Sequence, residues 1–265
     1  MKACALTLLV AALLSAVRAE EPPGRGRCVV GAIRWDAWHG DKGRPGQAVE
    51  TSLGPKHWHS RLPFYAKELS DSQVEVRADS QEVMDKEIGY ACAAGLDYWA
   101  FVAYAEQDAM SLGLKLYLSS ARKQELNFCV ILGASGFPQT PAEIARYVGY
   151  FKDPSYQRVA VGRPLVYLLW ADKLKDRCGS WEAAKAAVDA LRAAATAAGA
   201  GRLYIAVQNC ANDKQAMDQV GADAISAYAL WGGTKEGRPY SELARKARDF
   251  WDQQKRTGAQ VIPLA

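Results

Sequence analysis

Seven short apolar runs punctuate the chain: CVVGAIRW (28–35), LDYWAFVAY (96–104), NFCVILG (127–133), PLVYLLW (164–170), LYIAVQN (203–209), AISAYAL (224–230) and QVIPLA (260–265). They run into aromatic or polar residues and then into sequence with helical spacing. Runs apolar on both faces belong to parallel strands covered by helices. Repeated strand–helix units with right-handed crossovers predict an α/β fold, a (β/α)8 TIM-type barrel. The seventh run ends the chain at Ala265, so the barrel is expected to be truncated after its seventh strand, with the domain 20–265 incomplete at its C-terminus; an open sheet is the alternative.

Helical patterns fill the intervals. One is expected to start at Asp79, with Glu82 as in a capping box, to bury Met84, Ile88 and Ala91, and to stop at Gly95. Others are expected over 108–122, over 141–151 with Pro141 in its first turn, over the Ala-rich 181–198, and over 241–257, burying Leu243, Ala247 and Phe250. Asp36 to about Asp79 reads as one long irregular stretch, and a loop of that length is usually functional or disordered.

The first nineteen residues read as a secretory signal: Lys2, an apolar core from Ala3 to Leu14, and small residues at Val17-Arg18-Ala19. A secreted, periplasmic or cell-envelope protein without a membrane span after cleavage is expected. Hydrophobic residues at 49%, charged residues at 23% and a net charge of +4 are those of an ordinary globular chain. The positive charge is scattered, so no nucleic-acid partner is inferred. Cys28, Cys92 and Cys129 lie in apolar contexts and are expected to be buried thiols; Cys178 and Cys210 lie in loop-like positions where an exported protein could pair them.

In such a barrel chemistry belongs at the strand tips. Strand one empties into Trp35, Asp36, Trp38 and His39, strand two into Tyr104 and Glu106, strand four into Trp170 and Asp172, strand five into Gln208 and Asn209, and strand six into Tyr228 and Trp231. Flat aromatic faces beside amides and carboxylates suit a sugar, whose C–H faces stack and whose hydroxyls need directional partners. Hydrolysis of a glycosidic bond further needs two carboxyl groups. Asp36, between two tryptophans where a desolvated carboxyl would have a raised pKa, and Glu106 are the candidates for them. Asp172 reads more simply as a helix cap. Trp35, Trp38, His39, Tyr104, Trp170, Gln208, Asn209, Tyr228 and Trp231 are the candidate lining.

His57 and His59 form an HxH pair some twenty residues beyond the strand-one tip, and the three histidines of the chain supply no metal set, so no metal is expected. No dinucleotide or P-loop glycine pattern is present, so no cofactor is expected. A glycan-assembly transferase would need an Asp-x-Asp or phosphate-cradling motif, which is missing. A non-catalytic glycan-binding barrel is the other alternative to a hydrolase.

Tyr150-Phe-Lys-Asp-Pro-Ser-Tyr-Gln-Arg-Val-Ala-Val-Gly-Arg-Pro-Leu-Val-Tyr is similar to the phrase YFxDPxYxxxxGxPVxxxY of the WbsX-like barrels, which are related to glycoside hydrolase families 99 and 71. Ala94-Gly95-Leu96-Asp97-Tyr98-Trp99 and the aromatic-then-His ending from Trp35 to His39 also resemble that group. The resemblance implies an exported barrel acting on glycans. Family 99 enzymes carry two glutamates three residues apart, whereas this chain has no Glu-x-x-Glu, and its third strand ends Gly133-Ala134-Ser135. The resemblance therefore transfers no catalytic pair.

Overall fold

The computed structural model describes residues 28–38, 43–230 and 237–264. The signal segment, His39 and Trp231 lie outside the described residues. All seven apolar runs form strands. In chain order the elements are β1 (Gly31–Arg34), α1 (Arg44–Leu53), β2 (Lys67–Ser70), β3 (Gln73–Glu75), α2 (Gln81–Ala93), β4 (Tyr98–Ala103), α3 (Leu112–Ser119), β5 (Asn127–Gly133), α4 (Pro141–Phe151), β6 (Arg158–Val159), β7 (Arg163–Leu169), α5 (Ala171–Cys178), α6 (Trp181–Ala197), β8 (Tyr204–Gln208), α7 (Asp213–Val220), β9 (Ala224–Ser226), α8 (Tyr240–Arg256) and β10 (Gln260–Val261). The main sheet runs β1-β4-β5-β7-β8-β9-β10, every neighbouring pair parallel and in chain order, with β6 hairpinned onto β7. This is the seven-stranded curled wall of a TIM-type barrel.

The register assigns the faces. Trp99, Phe101 and Phe128 meet Tyr117 of α3, and Phe128 also meets Tyr150 of α4, so those positions face the helices. Tyr98 and Tyr167, on the other face, join hydroxyls at 2.8 Å across the intervening β5. Their meeting shows the curl and fills the concave side with side chains. A side chain at Gly31 would run into the Tyr98 ring, so glycine there makes room for it.

The helices start where local chemistry favours them. Thr140 and Glu143 form a reciprocal capping box ahead of Pro141 in α4, and the Ser180 hydroxyl caps α6 by accepting from Ala183 N–H. Ser80 rather than Asp79 caps α2, because its hydroxyl reaches Val83 N–H. The helix expected over 108–122 is a 3-10 turn (Ala109–Ser111) followed by the shorter α3. The stretch after β1 is not irregular: it holds α1, a 3-10 turn (Lys56–Arg61) and the β2–β3 hairpin. Helix α8 buries Trp251 and leaves Leu243 exposed, so its inner stripe is displaced from the expected one. Cys129 is buried, Cys28 is exposed and Cys92 half-buried, and Cys178 and Cys210 are free rather than paired. Among the described residues no helix is long and apolar enough to cross a membrane.

The phrase from Tyr150 to Tyr167 lies beneath the barrel. Tyr156, 2% exposed, donates its hydroxyl proton to Leu165 O at 2.8 Å and accepts from Val130 N–H at 3.3 Å. Asp153 accepts from Ser155 N–H at 2.9 Å and pairs with Lys123 at 2.7 Å, while Phe128 N–H donates to Ser155 O. These bonds tie the entry ends of β5 and β7, opposite the tips that carry the candidate site.

Candidate functional site

Trp35 and Tyr104, at the tips of adjacent strands β1 and β4, make the central contact of the rim. The Trp35 indole N–H donates to the Tyr104 hydroxyl at 2.9 Å, and Trp35 remains 45% exposed. Burial pushes the Tyr104 hydroxyl above its ordinary pKa; the Trp35 hydrogen bond opposes the shift, and the charges of Tyr228, Asp108 and Asp36 are near enough to add to it. The tips of β1 and β4 therefore converge.

Strands β8 and β9 are locked to one another at the same end. Asn209, in a left-handed conformation (φ 53°), accepts from Tyr228 N–H at 2.6 Å and donates to Ala229 O at 3.1 Å. Asparagine tolerates that conformation better than most residues. Gln208 is 1% exposed and donates weakly to Ala227 O at 3.4 Å; its side-chain oxygen meets no donor among the described residues. At the tip of β7, Trp170 is 49% exposed.

The two candidate carboxylates are placed differently. Asp36 is not the solitary desolvated acid expected between two tryptophans. It is buried against Gly113 of α3 and ion-paired with Arg34 at 2.6 Å. Arg34 also pairs with Glu87 of α2 at 2.7 Å and lies 4.5 Å over the Trp99 ring. Burial works against the Arg34 charge, but Asp36 and Glu87 outweigh it and hold the guanidinium above its ordinary value. Glu106 is exposed on the other side of Tyr104, beside Lys115, Arg146 and Tyr150 in the groove between α3 and α4. Asp172 sits in the first turn of α5 and accepts from Ala211 N–H at 3.1 Å, linking the β7 and β8 tips.

Around β1 opens a cleft of about 500 Å³, walled by Trp35, Trp38, Phe64, Tyr65, Tyr90 and Trp99 and floored by Arg34, Asp36 and Glu87. Its volume is in the range of small-molecule sites, and its lining sets aromatic walls beside charged groups. Burial raises the Tyr65 hydroxyl above its ordinary pKa, with the Glu87, Arg34 and Asp36 charges close by. Sequence reasoning found Trp35, Asp36 and Trp38 but missed Phe64, Tyr65, Glu87 and Tyr90. Phe64 and Tyr65 follow a proline in the stretch read as irregular, and Glu87 and Tyr90 show only as the i and i+3 positions of one helical face.

No sequence-family profile matches the chain, and no curated protein is similar to it in sequence. Solved structures are similar in fold. An endo-α-mannosidase of family GH99 from Bacteroides thetaiotaomicron, in complex with bis-tris propane, aligns with a TM-score of 0.51 at 14% identity over 88% of this chain and 68% of its own. A second structure of the GH99 endo-α-mannosidase from Bacteroides thetaiotaomicron aligns with the same TM-score at 13% identity, over 88% and 70%. At these identities the likeness is one of fold.

Proposed function

We propose that the protein is a glycoside hydrolase-type enzyme acting on an oligo- or polysaccharide, and that it stands with the WbsX-like barrels its buried phrase resembles. The Trp35–Tyr104 contact carries this reading: it presents an exposed aromatic face at the strand tips and joins the rim to the aromatic cleft. The fold shared with endo-α-mannosidases supports it. Sugar rings stack on Trp35 and Trp38, and Tyr104, Asn209 and Tyr228 meet hydroxyls from the neighbouring tips. Glu106 is assigned the proton transfer, because it is exposed beside Tyr104. Asp36 contributes as a charged group, fixed by Arg34 at the floor of the cleft. Export by the leader 1–19 belongs to the same reading.

The test is hydrolysis of a panel of mannose-, glucose- and galactose-containing oligosaccharides. Glu106→Gln is expected to lower kcat by about a hundredfold or more, the usual worth of a general acid–base group, without changing the melting temperature. Turnover unchanged by that substitution removes Glu106 from the chemistry. Affinity without turnover in the wild type converts the reading to a glycan-binding barrel.

A further inference from the structure

Four non-glycine residues among those described have a left-handed backbone. Ala160 and Val161 form the β6–β7 hairpin under the barrel, and Asn209 earns its conformation by bonding the β9 tip. Trp170 is different. It is a bulky residue at φ 58°, ψ 59°, where a side chain is sterically penalised. Its backbone is pinned from both sides: its N–H donates to Gln208 O at 3.0 Å, and its carbonyl accepts from Lys173 at 2.9 Å and Leu174 at 3.1 Å. Glycine would satisfy the same three bonds without strain. The indole itself makes no hydrogen bond or ring contact with the described residues and is 49% exposed. The fold therefore bears a cost at a strand tip for a side chain that leaves about half of its surface to solvent. Strain of this kind collects at ligand sites, where surrounding structure holds a group ready.

We propose that Trp170 is a sugar-stacking platform, held in place before the ligand arrives by a backbone that would be more stable as glycine. The proposal rests on the glycan reading above and extends the site from the β1–β4 tips to the tip of β7. The face of an indole takes the apolar face of a hexose ring, so the ligand is an oligosaccharide with one unit over Trp170.

Melting curves and calorimetric titration with the oligosaccharide panel test this. Trp170→Gly is expected to raise Tm by about 2–4 °C, because glycine takes the left-handed backbone without strain. It is also expected to weaken oligosaccharide binding by about tenfold, a loss that Trp170→Phe largely restores without the gain in Tm. A Tm lowered by Trp170→Gly makes the indole a packing residue and overturns the proposal. So does unchanged affinity in a protein whose wild type binds the panel, which leaves the glycan reading standing. A wild type that binds no member of the panel overturns both.

Discussion

Asp36 illustrates how a single neighbour redirects a carboxylate. From sequence it stands between two tryptophans, a setting that suits a proton donor; in the fold it pairs with Arg34, which is shared with Glu87, and presses on Gly113. This last contact reverses an ordinary rule. Glycine to alanine inside a helix usually gains about 1 kcal/mol. At Gly113 the new methyl group would overlap the Asp36 carboxylate, which is short and held by the guanidinium and so cannot swing aside. Gly113→Ala is therefore expected to destabilise the protein by about 1–3 kcal/mol, as overpacking does. In an Asp36→Ala background the same substitution should become neutral or stabilising. Denaturant titration of the two single variants and the double variant reads the sign directly.

Among the elements, the excursion between β1 and α2 matters most to the cleft, because it supplies Phe64 and Tyr65. It is held by a buried histidine. His59 places Nε2 2.7 Å from Gly54 O and Nδ1 2.9 Å from the Glu68 carboxylate of β2, with Lys56 on the same turn also bound to Glu68. The nearby Glu68 carboxylate, then the Gly54 carbonyl, raise the His59 pKa above its ordinary 6.5; Lys56, then His59, lower Glu68 below its ordinary 4.5. A raised histidine stabilises the fold fully below 6.5 and loses that contribution as pH climbs through its folded value. A lowered glutamate contributes above 4.5 and loses it as pH falls through its own folded value. The excursion should therefore be held best between about pH 4.5 and 6.5 and loosen above that window. Hydrogen exchange over residues 44–78 should quicken, beyond its intrinsic pH dependence, as pH rises above 6.5 in the wild type. In His59→Gln that excess should vanish.

The same excursion marks the limit of what the sequence discloses. The strands were legible because each is a dense apolar run, buried on both faces in β4, β5, β7, β8 and β9 though only partly in β1 and β10, α4 because Pro141 marks its first turn, and α6 because it is rich in alanine. Helix α1 was not, since it buries none of its residues and so shows no apolar stripe. Helices α5 and α7 span only two turns each, too short for periodicity to stand out from a loop. At the site, strand tips identified Trp35, Tyr104 and Asn209, whereas Glu87 and Tyr90 entered it through packing of α2 on β1, which no local pattern encodes.

At the scale of the whole molecule, the Tyr98–Tyr167 hydroxyl pair spans the concave face from β4 to β7. Burial pushes the Tyr98 hydroxyl up to about 12, and Tyr167 upward as well, so both stay neutral and share one hydrogen bond. Tyr167→Phe strands the Tyr98 hydroxyl in the interior and is expected to cost about 1–3 kcal/mol. Removing both hydroxyls should cost much less than twice that, because the orphan disappears with its partner. Equal and additive losses in thermal melts would show that the two rings act independently.

Because Tyr156, Asp153 and Lys123 brace the underside of the sheet, the segment from Tyr150 to Tyr167 is a chassis. A likeness confined to that segment would speak for a common foundation and say nothing of the upper loops. Kinship read from the underside thus speaks to architecture, and the trade must be sorted from the opposite pole.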